Sequence, residues 1–364
     1  MGSQTEHRRQ RRSTGAATKA TRPASGSVGR SGRSPRAQTA TEVRIRAATT
    51  PRLATPSRRP ALTSTAWQHT TVAESFPSAV ELNTYRAAVT DLLARIAPHS
   101  FATHRDTIEE VLASRLAEPA LATVLAATPI GVSGTIAELL HELHAHQHRV
   151  HDTADLLGFI RVYLLSRIDA VWWGQTPAYR TDAEVLAADD LVDLDLLRRR
   201  KLLSFRYRRQ AETLLTRLTR AAERRLWAGR APHTPGLLFT RTRPETVELL
   251  NRLARDFARL APPGTPPLWI TSLTRSLDHQ HRLRALGYFA LVPSSHCVGY
   301  GMDIEKSWFR RFDAHRALEV VLLEHQACGA INVIDQGQAW HVCISPPAVA
   351  ELRDAGSWAI TAGT

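Results

Sequence analysis

The chain has 364 residues and is 43% hydrophobic, enough for two ordinary domains with cores of their own. Its formal net charge of +13 would point to a fold built for a polyanion if it were evenly spread. It is not: residues 1–60 hold fourteen basic side chains against two acidic ones, so the remainder is nearly neutral and a strongly basic fold is excluded.

Residues 1–75 are rich in Arg, Ser, Thr, Ala, Pro and Gly and carry almost no aliphatic clusters. Such a segment cannot bury enough apolar surface to offset its ordering entropy, so a disordered tail is expected. Arg8, Arg9, Arg11 and Arg12 suit an anionic partner, either nucleic acid or an anionic membrane surface. A solubilising extension accounts for the same composition. The Arg-rich start is not followed by an apolar run, so no secretory signal is read and a cytoplasmic location is expected. An export signal hidden by a misassigned start codon stays open. Apolar stretches such as 156–173 are interrupted by Arg161, Arg167 and Asp169, so no membrane span is expected. Cys297, Cys328 and Cys343 are an odd number, which argues against a full disulfide framework, and all three are expected to be buried.

From residue 76 to 262 the apolar periodicity predicts a helical domain. Leu82, Tyr85, Val89, Leu92, Leu93 and Ile96 form one face, and Ile108, Val111, Leu112 and Leu116 another. Ser133 reads as the cap of a helix carrying Ile136, Leu139, Leu140 and Leu143. Further helices are expected over 155–173, over a long run from 182 to 227, and over 245–260, where Pro262 and Pro263 stop the last. The Arg198–Lys201 run, with Arg206, Arg208 and Arg209, is expected on the solvated face of the long helix. The texture then changes. Strands are expected over 268–273, 302–305, 330–334 and 339–344, the last two as a hairpin, with helices over 278–286 and 315–326. The order implies an α+β fold with an all-α middle domain and a small antiparallel sheet in residues 263–364.

The chemistry concentrates in Ser294-Ser295-His296-Cys297-Val298-Gly299-Tyr300-Gly301-Met302-Asp303, followed by Trp340-His341. Two imidazoles and a carboxylate suit a metal ion, with a fourth position left open where the site is catalytic. His296 before a turn at Gly299, Asp303 on the next strand and His341 on an adjacent one can converge on one ion. Each imidazole also needs a partner for its second nitrogen, which the sequence does not reveal. The pattern Ser-x-His-x-x-Gly-x-x-x-Asp with a later Trp-His resembles the zinc D-alanyl-D-alanine carboxypeptidase and dipeptidase family, which shares its fold with the hedgehog signalling domain. Thr271–Ser276 followed by Gln280 resembles that family's Arg-containing strand. The resemblance covers roughly residues 265–347.

It implies Zn2+ held by His296, Asp303 and His341, and a D-Ala-containing or peptidoglycan-precursor peptide as substrate. It also implies that Arg275 offers positive charge to the developing oxyanion, while Ser294 braces the His296 loop. The family's general base is a glutamate three residues before the second histidine, and Gln338 stands there. An amide cannot accept a proton near neutral pH. Either catalysis is lost and a metal-stabilised binding module remains, or Asp335 or Glu305 serves instead, or the hairpin register differs. Two other groups compete for attention. His141, His144, His146, His148 and His151 read as a solvated face, and His279 and His281 lie beside the Arg275 strand.

Overall fold

The computed structural model describes residues 76–99, 103–146, 153–210, 231–232, 234–288 and 290–354. All belong to one compact unit, Thr70–Thr364, so the expectation of a disordered tail concerns residues outside those described.

Helix α1 (Ala79–Ile96) opens on a capping box. The Ser78 hydroxyl accepts from the Glu81 amide, and the Glu81 carboxylate accepts the Ser78 amide at 2.7 Å. Helices α2 (Arg105–Leu116), α3 (Pro119–Ala126), α4 (Gly131–His146) and α5 (Thr153–Trp173) follow. Helix α4 starts two residues before Ser133, because Gly131 takes a positive φ of 64° that turns the chain into it. Ser133 therefore sits inside the first turn instead of capping it. The five helices share a core through residues such as Tyr85, Leu92, Ile108, Leu125, Leu139 and Leu164, at the expected spacings. No single described helix is long and apolar enough to cross a membrane; the bent pair Pro119–Ala126 and Gly131–Ala145 passes that test only by length and composition.

The long helix expected from 182 is absent over 182–210; residues 211–227 lie outside those described. Helix α6 (Asp182–Ala187) ends on an extended Ala188, strand β1 (Val192–Asp193) intervenes, and Asp193 caps helix α7 (Leu194–Arg199). Lys201 takes a positive φ of 60°, which ends that helix, and Arg206 falls on strand β2 (Arg206–Tyr207). The physical reason is that the apolar residues serve two separate cores. Val185 and Leu191 pack with Phe239, whereas Leu194 and Leu197 join the sheet's core. The middle segment is thus not all-α: β1 pairs antiparallel with β3 (Arg241–Thr242), and β2 enters the main sheet.

That sheet has five strands in the order β2-β4-β5-β7-β6, with β4 at Trp269–Ser272, β5 at Gly301–Glu305, β6 at Ile331–Asp335 and β7 at Ala339–Ile344. The β6–β7 hairpin and the β4–β5 and β5–β7 pairs are antiparallel, while β2 runs parallel to β4. The sheet is therefore mixed. Side chains alternate between its faces. Met302, Ile304, Trp340, Val342, Ile344, Ile331 and Val333 share one apolar core with helices α8 (Pro244–Leu260), α10 (His315–Ala327) and α11 (Pro346–Asp354). The residues between them, Asp303, His341, Cys343 and Asn332, have the opposite parity, on the side of α5.

Trp173, the last residue of α5, ties the halves together. It packs against both large cores, stacks on Tyr300 with centroids 4.1 Å apart, and donates its indole N–H to the Ile344 carbonyl at 2.8 Å. Trp173 is half-buried, and Trp173→Ala should lower stability by about 1–3 kcal/mol. Chemical denaturation followed by tryptophan fluorescence and circular dichroism should show the loss in one shared transition. Two separated transitions would mean that bundle and sheet do not unfold as a unit.

Candidate metal centre

His296 lies on a single 3-10 turn, Ser295–Val298, ended by Gly299 at a φ of +82°. The turn folds back onto β5 at Gly301, where a Cβ would stand 2.6 Å from the His296 nitrogen, so only glycine permits the approach. Two residues on, Asp303 sits directly opposite His341 in the β5–β7 register, which makes the two side chains cross-strand neighbours. The result is a tight triangle. His296 Nε2 lies 3.2 Å from Asp303 Oδ1 and 3.2 Å from His341 Nδ1, and His341 Nδ1 lies 3.1 Å from Asp303 Oδ1. All three residues are buried, and together they form a cluster able to hold a metal ion.

The outer nitrogens fix what the inner ones offer. His296 Nδ1 is 2.7 Å from the Leu273 carbonyl, which can only accept, so the proton is on Nδ1 and Nε2 presents a lone pair. His341 Nε2 is 2.8 Å from Asp169 Oδ2, another acceptor, so in the neutral ring Nδ1 carries the lone pair. Two lone pairs and a carboxylate oxygen then face one another at contact distance, an arrangement that needs a cation between them. Without metal the cation is a proton. Burial works against charge on His341, but the hydrogen bond to Asp169, and then Asp303, hold its pKa up at about 9. Burial and then Arg275 keep His296 below its ordinary value. Burial would raise Asp303, but His296 and Arg275 outweigh it and hold the carboxyl well below the usual range.

Asp169, from helix α5, is the residue that reading the sequence missed. It is buried, and besides His341 it takes the Ser295 hydroxyl at 2.8 Å and the Asn332 amide at 2.9 Å. The one signal was a carboxylate inside the apolar run 156–173. Ser295, not Ser294, makes the bracing side-chain bond. Ser295, Asp169 and His341 have the residue types of a nucleophilic triad. Yet Ser295 Oγ and Asp169 both approach the same Nε2, at 3.4 and 2.8 Å, so the ring cannot relay between them.

Arg275 stands beside the triangle. Its Nη2 donates to Asp303 Oδ2 at 2.7 Å, its Nε to Ser272 at 2.9 Å and its Nη1 to Gln280 at 3.3 Å. A cavity of about 480 Å³ opens onto these groups and is lined also by His279 and Gln336. Gln338 is exposed in the β6–β7 turn and is not among the lining residues. The other carboxylates considered are engaged elsewhere: Glu305 accepts from Ser307 and the Trp308 amide, and Asp335 pairs with Lys306 at 2.6 Å. His279 is pushed down to about 4 by burial and then by Arg275 and Arg282. His281 is exposed. His141 and His144 are exposed too, and His144 bonds Glu109 at 2.8 Å; His148 and His151 lie outside the described residues. Cys297 and Cys343 are buried as expected, but Cys328 is exposed, at the end of α10 where the chain turns outward. No protein-family model, curated protein or solved structure matches the chain.

Asp169→Asn should weaken metal retention about 10–100-fold, measured by competition with a chelator of known affinity; an unchanged affinity would mean the outer carboxylate is not needed. Metal must also displace the His341 proton. The metal-free chain has the stability from that proton fully below pH 6.5 and loses it as pH rises through about 9. Metal affinity should therefore rise with pH across this window by about tenfold per unit. Calorimetry in buffers of different ionisation enthalpy should record about one proton released per metal near neutral pH.

Proposed function

We propose that the chain is a zinc-dependent peptidase-type protein acting on D-Ala-containing or cell-wall-type peptides. The observation that carries this reading is the triangle of His296, Asp303 and His341, whose edges run from 3.1 to 3.2 Å. Nitrogen and oxygen ligands at the usual zinc distances of about 2.0–2.1 Å around a tetrahedral ion would be about 3.3–3.4 Å apart. Two imidazoles and a single carboxylate also disfavour calcium and magnesium, which prefer oxygen throughout. When bound, zinc supplies a Lewis acid for an amide carbonyl and acidifies water.

The chain's own residues supply the rest. Arg275, held by Ser272, Gln280 and Asp303, places a fixed positive charge at the cavity wall where an oxyanion would develop. Asp169 and the Leu273 carbonyl keep both ring lone pairs aimed inward. The two carboxylates lining the cavity, Asp303 and Asp169, are both committed, so neither is free to take a proton from an attacking water. His279 fills that role in this reading: it lines the cavity, and its value of about 4 is close to that of an ordinary glutamate. A second reading, a metal-stabilised peptide-binding module without catalysis, is favoured by the lack of an uncommitted carboxylate among the described residues that line the cavity.

Elemental analysis of the purified protein should give about one zinc per wild-type chain and none in Asp303→Ala. A wild type without zinc would remove the proposal. Zinc-loaded protein that cleaves a D-alanyl-ended peptide supports the peptidase reading, and one that binds the peptide intact supports the module.

A further inference from the structure

The cavity is lined by two chemically different groups of side chains. Asp169, Arg275, His296, Asp303 and His341 are joined by hydrogen bonds into one polar group, while His279 packs edge-on against Phe239 with ring centroids 6.3 Å apart. Among the other lining residues, beside hydroxyl and amide side chains such as Ser166, Gln210, Thr234 and Gln336, an apolar group comes from two segments outside the ligand strands. Leu237 and Phe239 precede β3, while Leu283, Leu286, Tyr288 and Leu291 lie on helix α9 (Leu277–Ala285) and the chain after it. Leu237, Phe239 and Leu291 are buried and fixed. Leu286 and Tyr288, by contrast, are 75% and 62% exposed. Two large apolar side chains left in water at the rim of a cavity cost free energy that a ligand would recover by covering them. A volume of about 480 Å³ is in the range of pockets that enclose a small organic ligand rather than a lone ion or water.

We infer that this wall is a binding subsite for a large apolar side chain, so that the ligand is an amide carrying an aromatic or branched aliphatic group next to its metal-binding carbonyl. The inference rests on the metal reading above and narrows its substrate class to a D-Ala-containing or cell-wall-type peptide that carries a large apolar side chain beside the scissile amide, not one built from alanyl methyl groups alone. Such a ligand has one polar group for the metal and one apolar group for the Leu237–Tyr288 wall. A ligand whose substituents are no larger than methyl would leave Leu286 and Tyr288 uncovered.

Two hydroxamates that chelate metal identically and differ only in their tails test this. Acetohydroxamate carries a methyl group, and 3-phenylpropionohydroxamate carries a phenethyl group. Binding to the full-length, zinc-loaded protein is measured by calorimetry, with zinc content determined on the same samples. The phenyl probe should bind more than about tenfold tighter than acetohydroxamate. In Leu286→Asp and in Tyr288→Ser that ratio should fall toward one. Because both residues are exposed, neither change threatens the fold, and circular dichroism checks it. Equal affinities in wild type, or a preference unchanged in both variants, would overturn the subsite. So would a zinc-loaded chain that binds neither probe. A chain that holds no zinc would instead remove the metal reading and this inference together.

Discussion

The hydrogen bond between Asp169 and His341, 2.8 Å long and buried, is the contact on which the architecture turns. A carboxylate from the middle of a helical bundle is carried into the face of a sheet more than 170 residues away in sequence. Such a group is stable there only if its oxygens are met, and they are, by His341, Ser295 and Asn332. Drawing the bundle away from the sheet would strip a buried anion of its partners, which costs far more than the bond's net contribution. The packing of the helices and the orientation of the ring are therefore one constraint. What looks like a separate helical domain supplies the outer support of the His296–Asp303–His341 cluster.

The sheet solves a related problem by dividing its labour between faces. Period-two alternation places Met302, Ile304, Trp340, Val342 and Ile344 in one apolar core, where hydrophobic burial does the stabilising. The intervening positions are free to carry Asp303, His341 and Asn332, which contribute little by burial and would cost much if unpaired. Because Asp303 and His341 are direct register partners, any one-residue slip between β5 and β7 would send one ligand to the wrong face. The apolar side thus enforces the geometry of the polar side.

These features explain what the sequence made legible. His296 and Asp303 are seven residues apart and joined by a glycine turn, and His341 lies on a strand with clear alternation. It was the resemblance of the flanking motif to a zinc peptidase family that singled the three out, and the structure brings them together. The hairpin and the helices α1, α2, α5, α8 and α10 followed from periodicity. Asp169 did not, since its partners are distant in sequence and a lone acid in an apolar run reads as an interruption. The segment 182–210 misled for another reason. Its leucines recur at helical spacing but belong to two cores, and the break at Lys201 rests on a positive φ that no glycine announces. Gln338 was legible as a residue but not as a position, because which turn side chains reach a cavity depends on the hairpin's exact path.

The proton inventory of the cavity bears on what the centre can do. Asp303 and Asp169 are both held as anions, Asp169 because its three donors outweigh the cost of burial. His296 is kept neutral, and His341 gives up its extra proton when a metal takes its place. His279, pushed down to about 4, lines the cavity too and takes up a proton only in acid. The design therefore favours holding a cation in a fixed field over storing protons near neutral pH. Any hydrolysis at this centre would lean on the electrophilic side of the reaction, through the ion and Arg275, with a base no stronger than an ordinary carboxylate.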